Sequence, residues 1–173
     1  MLKKSVFCIA TSRKQAHRIV DHLKTESFSN QDVSLLFSDA THDSLSFGTG
    51  GGAFGWIAGI GALAIPGVGP FIAAGPVRAA LGGAVADGIA GGLISLGVSD
   101  SDAQGYEERI KEGNFLLAVH TDDAGDIARV RDIFKQAGAQ AICTAPVLFP
   151  GRESATSQAS PAAEPALSVT PAQ

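Results

Sequence analysis

Sulfur, aromatic rings and charge are all scarce in this chain of 173 residues, and each shortage removes a class of function. Two cysteines, Cys8 and Cys143, are too few for a disulfide scaffold and lack the paired spacing of a metal site. Lysine and arginine number 13 against 17 aspartates and glutamates, a net charge of -4 that offers no basic footprint for nucleic acid. No Gly-Lys-Ser/Thr ending closes a phosphate loop, and no Gly-x-Ser-x-Gly elbow presents a nucleophile. The expectation is a non-enzymatic protein with no catalytic residue, no cofactor and no metal. The opening Met1-Leu2-Lys3-Lys4 superficially suggests a signal peptide. The apolar run that follows, Val6 to Ala10, is too short for one and meets Ser12-Arg13-Lys14-Gln15 at once. It reads as a first strand of a cytoplasmic protein. The length gives room for one domain plus an insertion or a tail, and enough surface to bury without staples.

Glycine, by contrast, is abundant. Of 21 glycines most lie between Gly48 and Gly97, a stretch in which only Arg78 and Asp87 are charged. Pro66-Gly67-Val68-Gly69-Pro70 cannot continue a helix and divides it in two. Upstream, Gly51, Gly55 and Gly59 recur every fourth residue. Downstream, Ala80, Ala84, Gly88 and Gly92 form one row, and Ala79, Gly83, Asp87, Gly91 and Ser95 the next. Val77, Leu81, Val85, Ile89 and Leu93 make a bulky ridge beside them. A period of four belongs to a helix, and glycine costs about 1 kcal/mol against alanine there. So many glycines make sense where helices approach closely. An apolar helical hairpin over 48–98 is therefore expected, with Gly51, Gly55, Gly59, Ala80, Ala84, Gly88, Gly92 and Asp87 as its helix-packing or self-association residues.

The flanks carry ordinary α/β patterning. Ser12 with Gln15 opens a helix to about Lys24, whose stripe is Ala16, Ile19, Val20 and Leu23. Val33 to Phe37 reads as a second strand, and Asp39 to Ser46 as a polar loop. Ser101 with Gln104 looks like a cap for a helix reaching Glu112, stopped by Gly113. Phe115 to His120 is a third strand. Asp123 caps a helix carrying Ile127, Val130 and Phe134, and Ala141 to Leu148 is a last strand bent by Pro146. Without the insertion this order is a ferredoxin-like split βαβ arrangement in the α+β class. The domain so built comprises 1–47 and 99–150, with 48–98 inserted. The Ala/Ser/Pro tail, 151–173, holds too little bulky apolar material to order itself. Alternate residues of the third strand, and Leu35 with Leu36 in the second, point apolar groups to both faces of the sheet. The hairpin, a second subunit or both must cover the second face.

A bilayer is the sharper alternative for the hairpin, because small-xxx-small rows recur between membrane helices. Gly48 to Ile65 falls short of the roughly 20 residues a span needs, whereas Pro76 to Leu96 is long enough. Its bulky residues favour insertion by about 3 kcal/mol, and a central Asp87 opposes it by about 2.5 to 3.5 kcal/mol. Packing on protein, in a homo-oligomer, is the preferred reading over membrane contact through 48–98.

The block Gly61-Ala62-Leu63-Ala64-Ile65-Pro66-Gly67-Val68-Gly69-Pro70-Phe71-Ile72-Ala73-Ala74-Gly75-Pro76 is followed by Gly97-Val98-Ser99 and Tyr106-Glu107-Glu108-Arg109-Ile110-Lys111-Glu112-Gly113. Together they resemble the bacterial general stress protein family, the heat-induced YflT-like and 17M-like group with its glycine-rich central segment. The resemblance spans roughly Lys4 to Val147 in layout. It implies a stress-induced protein without assigned chemistry, of a group suspected of membrane association. Arg78 and Asp87 depart from that family's usually uncharged second helix.

Other motifs read more plainly. Gly48-Thr49-Gly50-Gly51-Gly52-Ala53 and Gly59-Ile60-Gly61-Ala62-Leu63-Ala64 satisfy a G-x-G-x-x-A pattern, but neither follows a strand directly, as a dinucleotide turn must. His17 and His22 are five apart and share no helix face as ligands would. Asp39, His42 and Asp43 read as turn residues, and His120 with Asp122 and Asp123 as a strand end and helix cap. Cys8 and Cys143 sit on strands expected to be neighbours and read as core thiols. The function expected is stress-related self-association or membrane contact through the hairpin. The alternative is a ligand- or metal-sensing regulatory module on the ferredoxin-like sheet.

Overall fold

The computed structural model describes residues 3–38, 56–57, 60–65, 69–83 and 87–147. The chain is α+β. It begins with β1 (Lys3–Ala10), α1 (Arg13–Thr25) and β2 (Val33–Ser38), followed by β3 (Gly61–Ile65) and β4 (Gly69–Ala74). Three helices follow, α2 (Pro76–Gly83), α3 (Gly88–Ser95) and α4 (Asp100–Lys111), before β5 (Phe115–Thr121), α5 (Ala124–Gln136) and β6 (Gln140–Val147). The six strands form one antiparallel sheet in the order β3-β4-β2-β5-β1-β6.

Local signals explain the flanking elements. Ser12 Oγ accepts the Gln15 N–H at 3.3 Å, and Gln15 Oε1 accepts the Thr11 N–H at 2.8 Å, so the start of α1 is satisfied from both directions. Its buried side chains include Ala16, Ile19, Val20 and Leu23, the expected stripe. Asp123 caps α5 by accepting the Gly125 N–H. The cap of α4 is Ser99 rather than Ser101. Its Oγ accepts the Asp102 N–H at 3.3 Å, which starts the helix with Asp100 and Asp102 against the positive end of its dipole.

Both faces of the sheet are buried, each in its own core. Val6, Cys8, Leu35, Leu117 and Val119 face α1 and α5. Phe7, Ile9, Leu36, Leu116 and Ala118 face the opposite way, against Val77, Leu81, Ile89, Leu93, Tyr106 and Ile110. The cover over this second face thus comes from α2, α3 and α4 of the same chain. Val85 of the expected ridge lies outside the described residues, and the other four members do the packing: Val77 and Leu81 are 1 % exposed, Ile89 and Leu93 0 %. Each such burial contributes about 1.5–3 kcal/mol.

Two features of the glycine-rich segment differ from the expected helical hairpin. Gly61–Ile65 is a strand, not the end of a helix, and it pairs with β4, which pairs with β2. Gly61, Leu63 and Ile65 alternate with the exposed Ala62 and Ala64, the period-two pattern of a strand. The strand ladder satisfies every second backbone group of a stretch too short to earn helical stability. The downstream arm is helical but not one rod. Gly88 has φ +73°, which interrupts helical geometry, and Asp87 takes the N-cap position of α3. A Cβ on Gly92 would collide with Leu81 Cδ2, although eleven residues of straight helix would separate the two by about 16 Å. The two short helices therefore fold against each other.

Candidate functional site

Three polar side chains interrupt apolar strands, and the fold brings them together. Ser5 on β1 is the cross-strand partner of His120 on β5, and Ser34 on β2 lies beside them. Ser5 Oγ is 2.5 Å from His120 Nδ1, and Ser34 Oγ is 2.7 Å from Nε2. Ser34 Oγ also accepts the Val77 N–H at 3.1 Å, an orphan donor in the first turn of α2. The His120 N–H donates to the Asp32 carbonyl at 2.8 Å. Phe7 stands edge-on to the imidazole, with ring centroids 6.5 Å apart.

The site is sealed: Ser5 is 0 % exposed and Ser34 and His120 are each 1 %. Burial, with a smaller repulsion from Lys3, pushes the His120 pKa down to about 3. The ring is accordingly neutral at ordinary pH, one nitrogen donating to a hydroxyl and the other accepting from one. A hydroxyl beside an imidazole is the pairing that activates a nucleophile. Here both hydroxyls are buried, and the bonds join three strands to a helix. Gly75 makes the junction close. Its φ is +74°, and a Cβ there would strike the Val33 carbonyl oxygen and come within 2.8 Å of Ser34 Oγ.

The expected packing residues are placed unevenly. Gly51, Gly55, Gly59 and Ala84 lie outside the described residues, as do Asp39, His42, Asp43, the first G-x-G-x-x-A copy and the tail. Ala80 packs against the second core, and Gly92 is buried against Leu81. Gly88 serves a positive φ rather than a helix row. Asp87 is exposed at the start of α3 instead of midway along a continuous helix. The outer surface of α2 and α3 bears exposed Arg78, Ala79, Gly82, Asp87, Ile94 and Ser95. Ile94, at 40 %, is a large apolar side chain left in solvent. In the second G-x-G-x-x-A copy, Gly61 to Ala64 belong to a strand and form no strand-to-helix turn.

Cys8 and Cys143 lie on paired strands, as expected, but on opposite faces. Cys8 is buried in the core under α1 and α5, and Cys143 packs against the other. Burial pushes both thiols up, and the neighbouring Asp102 adds to the effect at Cys143. A cleft of about 310 Å³ between α1 and α5 is lined by His22, Glu26, Arg129 and Asp132 among others. Among the described residues no three His, Cys, Asp or Glu side chains converge as metal ligands. No helix among them is long and apolar enough to cross a membrane.

Ser5 and Ser34 did not stand out among the chemical motifs of the sequence. Their signal was available, because a serine or histidine inside an apolar strand needs a buried partner. Comparison with family models, with curated proteins and with solved structures finds no match for this chain.

Proposed function

We propose that this chain is a non-enzymatic, stress-related protein whose glycine-rich layer is its working part, and that the layer joins copies of the chain to one another. The reading is carried by the outer surface of α2 and α3. Its inner ridge is consumed by the sheet, while Ala79, Gly82 and Ile94 remain outside, small or apolar, with only Arg78 and Asp87 charged on these two helices. Surfaces of this kind admit another backbone closely. The two split βαβ units, β1-α1-β2 and β5-α5-β6, form a ferredoxin-like core in this reading, with strand order β6-β1-β5-β2. The inserted β3, β4, α2 and α3 extend its sheet and cover its second face. Two helices of eight residues, each about 12 Å long, favour contact between proteins over a lipid span.

Light scattering coupled to size exclusion tests this. Wild-type protein is expected to run as an oligomer, to be recovered in the soluble fraction after a carbonate wash, and to become monomeric on Ile94→Lys. A wild-type monomer, or an oligomer indifferent to Ile94→Lys and to Gly82→Arg, overturns the reading. Protein that resists carbonate and needs detergent points instead to a membrane anchor.

A further inference from the structure

We propose that the Ser5–His120–Ser34 chain is an acid-sensitive latch that holds α2 on the sheet, and that acid releases this helix while the rest of the fold stays closed. The inference goes beyond self-association and does not depend on it. It begins with connectivity: one hydroxyl, Ser34 Oγ, is bonded both to the imidazole at 2.7 Å and to the Val77 N–H at 3.1 Å. The state of the ring is therefore coupled to the first turn of α2 through a single atom.

Among the described residues, the charges near the ring do not favour an imidazolium. From β1, Lys3 repels it, and the Asp32 carboxylate beside β2 is engaged by that Lys3 at 3.3 Å. On α2, the Arg78 guanidinium lies over Gly61 of β3. On α4, Tyr106 stays protonated because burial, and then Cys143 and Asp102, push its pKa up. Beyond β5, Asp123 is committed to capping α5. His17 and His22 sit on α1, across the sheet from α2.

Burial is the main cost of a proton on His120, so protonation favours a state in which something moves to admit water. The strands on either side are held by ladders, β1 to β5 and β2 to β5. The lid is an eight-residue helix anchored by Val77, Leu81 and the Ser34 bond. Lifting the short helix leaves both strand ladders intact. Once open, the ring recovers the ordinary value of 6.5, against about 3 when closed. The open state thus takes up the proton first. The closed state is fully favoured above about pH 6.5, and the opening equilibrium rises about tenfold for each pH unit below it, until about pH 3.

Hydrogen exchange of the full chain from about pH 7.5 to about pH 4.5, corrected for intrinsic exchange rates, reads this directly. Protection of amides 77–83 is expected to fall about tenfold per pH unit below about 6.5, while α1 and α5 keep theirs. His120→Gln should abolish that pH dependence. Ser34→Ala, which removes one small atom, should lower protection of 77–83 already at neutral pH and leave α1 unchanged. Loss of protection in all helices together, protection of 77–83 independent of pH, or an unaltered 77–83 in Ser34→Ala each overturns the latch.

Discussion

Glu107 caps a helix to which it does not belong: its Oε2 accepts the Ala90 N–H at 2.7 Å, reaching from α4 to the first turn of α3. Its other oxygen meets Lys111 Nζ at 2.5 Å. Partial burial tends to raise the Glu107 pKa. The Lys111 hydrogen bond and the Ala90 N–H outweigh it and leave the pKa below 4.5. A depressed carboxyl pKa contributes stability that is complete above the unfolded value and lost as pH falls through the folded one. Glu107→Ala should therefore cost about 1 kcal/mol near neutral pH, the worth of a cap, measured by urea unfolding. The gap from wild type should shrink below about pH 4. A gap that stays constant in acid would mean that Glu107 acts through packing alone.

Two glycines outside the proposed contact surface should respond to alanine with opposite signs. Gly105 lies within α4, and among the described residues nothing is within 4 Å of its Cβ position, so Gly105→Ala should stabilise by about 0.5–1 kcal/mol. Gly75→Ala must hold φ +74° and force a Cβ against the Val33 carbonyl, and should destabilise by about 2 kcal/mol or more. Thermal melts of both variants, compared side by side, check the pair. Equal responses would remove the argument for close docking at Gly75.

The contact between α2 and α3 predicts intolerance to bulk at Gly92. Gly92→Leu should gain about 1 kcal/mol in helix propensity and lose more than that by displacing buried Leu81. The two helices would then separate, exposing Ile89 and Leu93. Increased binding of a hydrophobic dye, together with a lower melting temperature, is the expected outcome. A variant as stable as wild type would show that the two helices do not depend on this contact.

Oxidation should not join Cys8 to Cys143. They are on adjacent strands with side chains on opposite faces, and a disulfide needs Cβ atoms directed toward each other. Both thiols have raised pKa values, so thiolate at neutral pH is scarce and alkylation slow. Intact mass after diamide treatment should show no intramolecular loss of two hydrogens. Cys143 should label first and Cys8 only on unfolding. A Cys8–Cys143 crosslink in the folded protein would contradict the sheet register.

Much of this fold was legible residue by residue. The stripe of α1, the Asp123 cap, the strand containing His120 and the doubly apolar sheet follow from side-chain spacing, which is local information. The need for a cover over the second face followed too, because apolar groups on both sides of a strand cannot both meet water. The ridge Val77, Leu81, Val85, Ile89 and Leu93 reads as a packing surface from its period of four, and its described members pack as that period implies. The cap of α4 was misplaced by two residues because Ser99 and Ser101 are chemically equivalent. Only the turn geometry chooses between them.

Among the described residues, the sequence by itself determined which side chains are apolar, where most flanking elements start and that both sheet faces would be buried. Tertiary structure decided that Gly61 to Ile65 would be a strand, that Pro76–Gly83 and Gly88–Ser95 would be separate helices, and that Ser5, Ser34 and His120 would meet. The last of these depends on partners far apart in sequence, since His120 is 115 residues from Ser5 and 86 from Ser34. A short glycine-rich segment has little conformational preference of its own, so the neighbour with open hydrogen bonds decides its shape.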